Sequence, residues 1–128
     1  MKKSGQRFRA LPGTYAVCRL KPDAVLPTWA RGPFVSITYT EEELSIVCPT
    51  EKVPIEVTAE RNWRLLKLVG PFPFSVTGVL AAFAAPLAKA GISLLSIATY
   101  DTDYFFVKSD AFDDAIAALR AAGHVKVR

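Results

Sequence analysis

Residues Val79 to Val107 read VLAAFAAPLAKAGISLLSIATYDTDYFFV, and this stretch decides the fold because a helix in it is followed by two strands. Apolar residues recur at helical spacing from Val79 to Ala90, and Gly91 is suited to ending that helix. Residues 92–99 and 104–108 are β-rich runs joined by a short polar connection. The stretch therefore predicts a helix packed on an antiparallel pair of strands.

The flanking elements complete a larger unit. Residues 64–69 (RLLKLV) predict a strand before the helix, and Ser109 or Asp110 can cap a second helix that runs through Leu119. HVKV at 124–127 can add a last strand. Two helices of this size cover one face of a four-stranded sheet, which is the ferredoxin-like βαββαβ arrangement. We therefore predict an α+β fold.

Pro86 lies inside the first predicted helix. Proline has no amide N–H, so the carbonyl of Ala82 should lack its helical partner and the helix should bend. The expected cost is about 3 kcal/mol unless packing accommodates the bend.

The N-terminal half repeats the same order in reduced form. Its predicted strands are residues 14–20, 34–40, 44–48 and 55–57. Residues 21–30 predict a turn interrupted by prolines where the other half has a helix. Glu41 to Glu43 are suited to a solvent-exposed hairpin turn. We expect two ferredoxin-like βαββαβ modules side by side, residues 14–63 and 64–128, the first degenerate and with shortened helices.

The positive charge is concentrated at the N-terminus. The net charge is +4, and Lys2, Lys3, Arg7 and Arg9 occur with no acid among the first nine residues. We therefore expect residues 1–13 to be a solvated basic tail. A specific nucleic-acid binder usually carries its basic side chains on the folded part, so we expect no specific nucleic-acid partner, although a basic tail could touch phosphates.

Several other classes of function have little support. No uncharged apolar stretch reaches the roughly 18 residues that span a bilayer, and no signal-peptide pattern follows the first residues, so we expect a cytoplasmic protein. Cys18 and Cys48 lie in apolar runs typical of buried thiols, and His124 is the only histidine, too few ligands for zinc. We expect no catalytic residue, no metal and no cofactor.

The loop GPFPFSVTG, residues 70–78, leads from a predicted strand into the first helix. Free amides of Val76, Thr77, Gly78 and Val79 would lie at the positive end of the helix dipole, which suits a carboxylate or a phosphate. The alternative, which the loop taken alone favours, is that Ser75 or Thr77 only caps the helix.

The segment TYDTDY, residues 99–104, places two carboxylates between the last two β-rich runs. If strand alternation continued through it, Thr99, Asp101 and Asp103 would share one face, and an acid beside a hydroxyl could pair with an ammonium or a guanidinium. The alternative is that both aspartates cap amides of a solvated turn.

Residues 70–107 resemble the ACT-domain proteins in the order of their motifs: helix entry after GPFPF, then PLA, AGIS and TYDTDY before an apolar strand. More narrowly, the chain resembles the small tandem-ACT group related to CASTOR-type cytosolic arginine sensors and to aspartate kinase regulatory modules. The resemblance is strong over Gly70 to Leu119. It is weaker over Thr14 to Cys48, where FVSITYTEEELSIVCP resembles a shortened first repeat, and it does not cover the tail.

The resemblance implies a regulatory fold that binds an amino acid or a similar small zwitterion at an interface between ACT modules. The implied ligand-binding residues are Ser75, Val76, Thr77, Gly78, Thr99, Tyr100 and Asp103. The first four would meet the α-carboxylate, largely through backbone amides, and the next two would line the pocket. Asp103 would meet a cationic side chain, which leaves Asp101 as the turn residue.

The number of modules bears on the expected assembly. CASTOR-type sensors carry four modules and aspartate kinases a catalytic domain, whereas this chain shows two modules. We therefore expect a homodimer that regulates a partner protein in trans. The alternative is an interaction module that binds its partner without any ligand of its own.

Overall fold

The computed structural model describes residues 5–70 and 78–128. The strands and helices are β1 (Arg7–Leu20), β2 (Ser36–Tyr39), β3 (Leu44–Pro49), β4 (Ala59–Leu68), α1 (Val79–Lys89), β5 (Leu94–Ala98), β6 (Asp103–Lys108), α2 (Phe112–Ala121) and β7 (Val125–Val127). The chain divides into unit 1, Met1–Pro12 with Arg64–Arg128, and unit 2, Gly13–Trp63. Strands β1 and β4 contribute residues to both units.

Unit 1 has the element order β4, α1, β5, β6, α2, β7, so the predicted α+β fold with two helices is confirmed. Strands β5 and β6 are antiparallel, and β6 lies beside β4. The first part of β1 lies between β4 and β7 and pairs in parallel with β7, from Arg7 opposite Val125 to Arg9 opposite Val127. The N-terminal strand β1 thus lies in the sheet beside β7, the last strand in sequence order.

The expected basic tail is wrong from Arg7 onward, because β1 begins there. Phe8 is fully buried and packs edge to face against Phe83, with ring centroids 5.4 Å apart. Burying such a side chain stabilises the fold by roughly 1.5–3 kcal/mol. The alternation of apolar and basic residues in RFRA is a strand pattern, which the clustering of charge obscured.

The core of unit 1 joins both helices to the sheet. Its buried members are Phe8, Leu66, Leu68, Phe83, Leu87, Phe105, Val107, Ala115, Ile116 and Leu119.

The expected cap of the second helix is wrong, since a 3-10 turn occupies Ser109–Ala111 and the N-cap residue of α2 is Ala111. The first helix ends as predicted, with Gly91 at a φ of 75° just after it.

Pro86 does lie within α1, but the carbonyl of Ala82 is not left unpaired as expected. The Nε2 atom of His124 lies 2.9 Å from that carbonyl oxygen, while the Gln6 amide donates to Nδ1 at 2.9 Å. A carbonyl only accepts, so the ring is the neutral tautomer with its proton on Nε2. A buried side chain 42 residues away therefore supplies the donor that the proline lacks.

Unit 2 contains β2 and β3 together with the second part of β1 and the first part of β4. The second part of β1 pairs with β3, and β2 pairs with β3 through the predicted hairpin, which is confirmed. The expected short strand at 55–57 is wrong, because these residues form turns. The Arg61 guanidinium donates to the carbonyls of Val53, Pro54 and Val57, which holds the segment in that shape. In place of a helix, unit 2 has a 3-10 turn at Thr50–Lys52.

Cys18 and Cys48 are free thiols in the buried core of unit 2, as predicted. Cys18 lies opposite Ile46 and Cys48 opposite Ala16, so the two thiols are diagonal neighbours on adjacent strands. Burial raises the pKa of Cys18, and burial followed by the neighbouring Cys18 raises the pKa of Cys48 to about 11. Both thiols are therefore protonated at neutral pH and are poor nucleophiles.

Within the described ranges, none of the helices combines the length and the hydropathy that crossing a bilayer requires.

Candidate functional site

The β5–β6 hairpin carries three of the predicted site residues, Thr99, Tyr100 and Asp103, together with Asp101 and Thr102. Its last ladder pair is Ala98 opposite Asp103. The Thr99 amide and the Thr99 hydroxyl both donate to the Thr102 carbonyl, at 2.8 and 3.0 Å, which leaves Tyr100 and Asp101 as a two-residue loop. Asp101 is exposed in that loop, so its predicted role as the turn residue is confirmed.

The hairpin register corrects the predicted face of Asp103. Because Asp103 lies opposite Ala98 and two residues before Phe105, it shares their face of the sheet and not that of Thr99. Phe105 is fully buried on this face, with its ring centroid 4.6 Å from that of Phe83 in α1. Asp103 therefore points toward the side covered by helix α1. The two-residue loop reverses the chain, so alternation does not run through it.

Thr102 fixes this hairpin to the end of strand β4. Its side chain is 7% exposed, and its hydroxyl donates to the Leu68 carbonyl at 2.9 Å. Leu68 is the last residue of β4, two residues before the strand-to-helix loop begins at Gly70. The hydrogen bond thus holds the hairpin tip where that loop begins. Sequence reasoning missed Thr102, and its only signal was a hydroxyl residue directly after the turn.

Gly78 is the described end of the strand-to-helix loop. It is the N-cap residue of α1 at a φ of 84°, and its carbonyl accepts the first helical bond from the Ala82 amide at 2.9 Å. A left-handed backbone of this kind favours glycine, so a side chain here would strain the helix start. Ser75, Val76 and Thr77 lie outside the described residues, and their predicted contacts stay predictions.

The side chains of the hairpin differ in exposure. Tyr100 is 81% exposed and Thr99 is exposed, whereas Asp103 is half-buried. Among residues 5–70 and 78–128, the Asp103 carboxylate has no hydrogen-bond or ion-pair partner. A half-buried carboxylate can accept strong charge-assisted hydrogen bonds from an ammonium or a guanidinium group. The structure brings Thr99, Tyr100 and Asp103 together on one hairpin, and it ties that hairpin to the start of the loop that ends at Gly78.

Comparison with curated proteins finds similarity to cytosolic arginine sensors. The human cytosolic arginine sensor for mTORC1 subunit 1 is 30% identical over 95 residues, which is 68% of this chain and 29% of the sensor. The chain thus spans less than a third of the length of the curated relatives that it matches.

Comparison with solved structures shows the fold over nearly the whole chain. A protein from Agrobacterium tumefaciens has a TM-score of 0.92 at 35% identity, covering 98% of this chain and 94% of that one. The regulatory subunit of aspartate kinase from Thermus flavus has a TM-score of 0.64 at 12% identity, covering 94% and 99%. The second likeness shows the fold alone.

Two family models match the sequence in separate ranges. The model of an N-terminal domain matches residues 13–56. The ACT domain model matches residues 58–121, half of the chain, which include β4, α1, the β5–β6 hairpin and the whole of α2. The chain belongs to the ACT domain family.

Proposed function

We propose that this protein is a non-catalytic regulatory protein that binds an amino acid or a similar small zwitterion and acts on a partner protein in trans. The observation that carries the proposal is the half-buried Asp103 carboxylate on an anchored hairpin of an ACT domain. Similarity to a protein named as an arginine sensor supports this proposal. A carboxylate at this place favours a ligand with a cationic side chain, such as arginine or lysine.

The proposed binding mode uses two ends of one ligand. Asp103 accepts hydrogen bonds from the cationic end, while Thr99 and Tyr100 line the pocket. The α-carboxylate is bound by amides of the loop segment 75–78, at the positive end of α1. The Thr102–Leu68 hydrogen bond supports this arrangement, since it holds the hairpin tip at the end of β4 where the loop starts.

The finer organisation is also a proposal. We propose that residues 14–63 are a degenerate ACT-like module and residues 64–128 an ACT module, that the protein is cytoplasmic, and that it forms a homodimer. The two units and the two family matches support the division. Strand β5 is the last strand of its sheet, and such an edge suits pairing with a second copy. Light scattering after size-exclusion chromatography measures the mass of the particle directly.

The test is a thermal-shift panel of the twenty amino acids, followed by calorimetric titration of any that stabilise the protein. A ligand at 100 times its dissociation constant adds about 2.7 kcal/mol of stability. Asp103→Asn should weaken binding of a cationic amino acid by about tenfold or more, which is about 1.4 kcal/mol. Asp101→Asn is the matched control, because it removes the same charge from the exposed loop and should leave affinity unchanged.

The variants test the role of Asp103, and the amino-acid panel distinguishes a ligand-binding protein from a ligand-independent interaction module. Equal affinity in the Asp103 and Asp101 variants would remove Asp103 from the site. A flat panel with folded protein would favour the alternative, an interaction module that binds its partner without a ligand. In that case the amount of partner bound should be the same with and without each amino acid.

A further inference from the structure

Unit 2 contains a polar cleft of about 300 Å³ at the C-terminal end of β1. The residues lining it are Arg19, Leu20, Lys21, Pro22, Glu42 and Thr58. This volume is at the lower end of the range of small-molecule pockets, which is roughly 300–1,000 Å³. None of these residues belongs to the β5–β6 hairpin or to the strand-to-helix loop, so the cleft is separate from the proposed Asp103 site.

Backbone pairing sets the shape of the cleft. The Arg19 amide donates to the Thr58 carbonyl at 3.0 Å, which brings the segment before β4 beside the end of β1. The turn between β2 and β3 is held by Thr40, whose hydroxyl oxygen accepts from the Glu42 amide at 3.1 Å and from the Glu43 amide at 3.0 Å. The walls that present these side chains are therefore fixed by strand ends and a defined turn.

The charged side chains that line the cleft have no partner within the described residues. Arg19 and Lys21 supply two cations and Glu42 one anion to the lining of the cleft. Across the described part of the chain, none of these three side chains forms an ion pair or a hydrogen bond. An arginine guanidinium matches a carboxylate with two parallel hydrogen bonds, and lysine adds a second positive charge. Glu42 offers an acceptor for an ammonium group.

We propose that this cleft is a second binding site, which takes the zwitterionic backbone of a free α-amino acid. The ligand carboxylate is held by Arg19 and Lys21, and its ammonium group is held by Glu42. Glu42 disfavours polyanions, because like charges repel across a short distance. All three charged side chains are exposed, so solvent and salt weaken these contacts and the expected dissociation constant is about millimolar.

The first experiment is a titration of the isotope-labelled protein with glycine, followed by NMR at constant ionic strength. Glycine presents the zwitterion without a side chain for Asp103 to bind. The expected result is saturable shifts of the amides of residues 19–21, 42 and 58. Acetate lacks the ammonium group and methylamine lacks the carboxylate, and each should bind about tenfold more weakly than glycine. Equal binding of acetate and glycine would overturn the zwitterion assignment.

Matched variants test the named side chains. Arg19→Gln should weaken glycine binding by about tenfold, while Arg31→Gln, the same charge change at another exposed arginine of unit 2, should leave it unchanged. Equal losses in both variants, or shifts that never saturate, would show only nonspecific screening and overturn the proposal. Asp103→Asn should retain glycine binding at the cleft, so failure of the Asp103 site and failure of the cleft are distinguished.

Discussion

His124 donates a hydrogen bond from Nε2 to the Ala82 carbonyl, which Pro86 leaves without a helical amide partner. The same ring accepts the Gln6 amide at Nδ1 and is 6% exposed. One imidazole therefore provides hydrogen-bond partners for the Ala82 carbonyl in α1 and for the Gln6 amide just before β1. The interior proline is tolerated because a residue distant in sequence provides the missing donor.

His124→Ala should lower the free energy of unfolding by about 2–4 kcal/mol, because it leaves the Ala82 carbonyl and the Gln6 amide without their partner. Urea denaturation measures the loss. Pro86→Ala restores an amide to the helix, so the histidine substitution should cost about 1 kcal/mol less in that background. The same cost in both backgrounds would show that the Ala82 hydrogen bond contributes little.

Cys48 should make stability depend on alkaline pH. Burial, and then the neighbouring Cys18, raises the pKa of Cys48 from near 9 to about 11. Between these pH values the unfolded thiol loses its proton while the folded thiol keeps it, so the free energy of unfolding falls as pH rises. Cys48→Ala should flatten that fall in urea titrations between about pH 8 and pH 11.

The remaining alkaline dependence has other sources. Burial also raises the pKa of Tyr15 and of Cys18, so the Cys48→Ala protein should keep part of the slope. The measurement therefore compares the pH dependence of the free energy of unfolding in the wild-type and Cys48→Ala proteins, and the variant is not expected to be independent of pH. A slope unchanged by Cys48→Ala would contradict the proposed contribution of this thiol.

At the scale of elements, a single hydroxyl ties the tip of the β5–β6 hairpin to strand β4. Two hydrogen bonds within the loop, both from Thr99 to the Thr102 carbonyl, fix the turn itself. The Thr102 hydroxyl then bonds to the Leu68 carbonyl in β4. Local bonds therefore fix the turn, and the Thr102 hydrogen bond adds a long-range contact at the tip of a hairpin whose strand β6 already lies beside β4.

Thr102→Val should destabilise the protein by about 1–3 kcal/mol, because it leaves the Leu68 carbonyl without the hydroxyl donor in a buried place. Thr99→Val is the matched control, since the Thr102 carbonyl would still accept the Thr99 amide. Urea denaturation of both variants gives the difference. Equal effects would indicate that β-branched packing, and not the hydroxyl, is what Thr102 provides.

Most elements could be predicted from local sequence. Both helices and the β2–β3 and β5–β6 hairpins follow from apolar periodicity and turn residues, which act over a few positions. The start of α2 and the segment 55–57 could not, because a 3-10 turn and the Arg61 hydrogen bonds decide them. The predicted face of Asp103 was also wrong, because the face that it occupies depends on the exact length of the loop.

At the scale of the whole molecule, the N-terminal segment is part of the fold. Phe8 is fully buried in the core of unit 1, and residues 7–9 pair with β7. A basic stretch that looked like a solvated tail thus completes a sheet. Removing residues 1–12 should leave β7 without its partner strand and prevent unit 1 from folding.

Phe8→Ala should lower the free energy of unfolding by about 3–5 kcal/mol, the usual cost of deleting a buried aromatic side chain. Ile55→Ala is the control, because Ile55 is 92% exposed and its truncation should change stability by less than about 0.5 kcal/mol. Thermal and urea unfolding measure both. Comparable losses in the two variants would contradict the burial of Phe8 in the core.

The sequence by itself determined the α+β class, the βαββαβ order of unit 1, the burial of both thiols and the family resemblance. These depend on periodicity, turn residues and motif order, which are local properties of the chain. Only the tertiary structure decided the insertion of β1 beside β7, the pairing of His124 with Ala82 and the anchoring of the hairpin by Thr102. Each joins residues far apart in sequence, and no local pattern encodes which distant carbonyl or strand a given donor will meet.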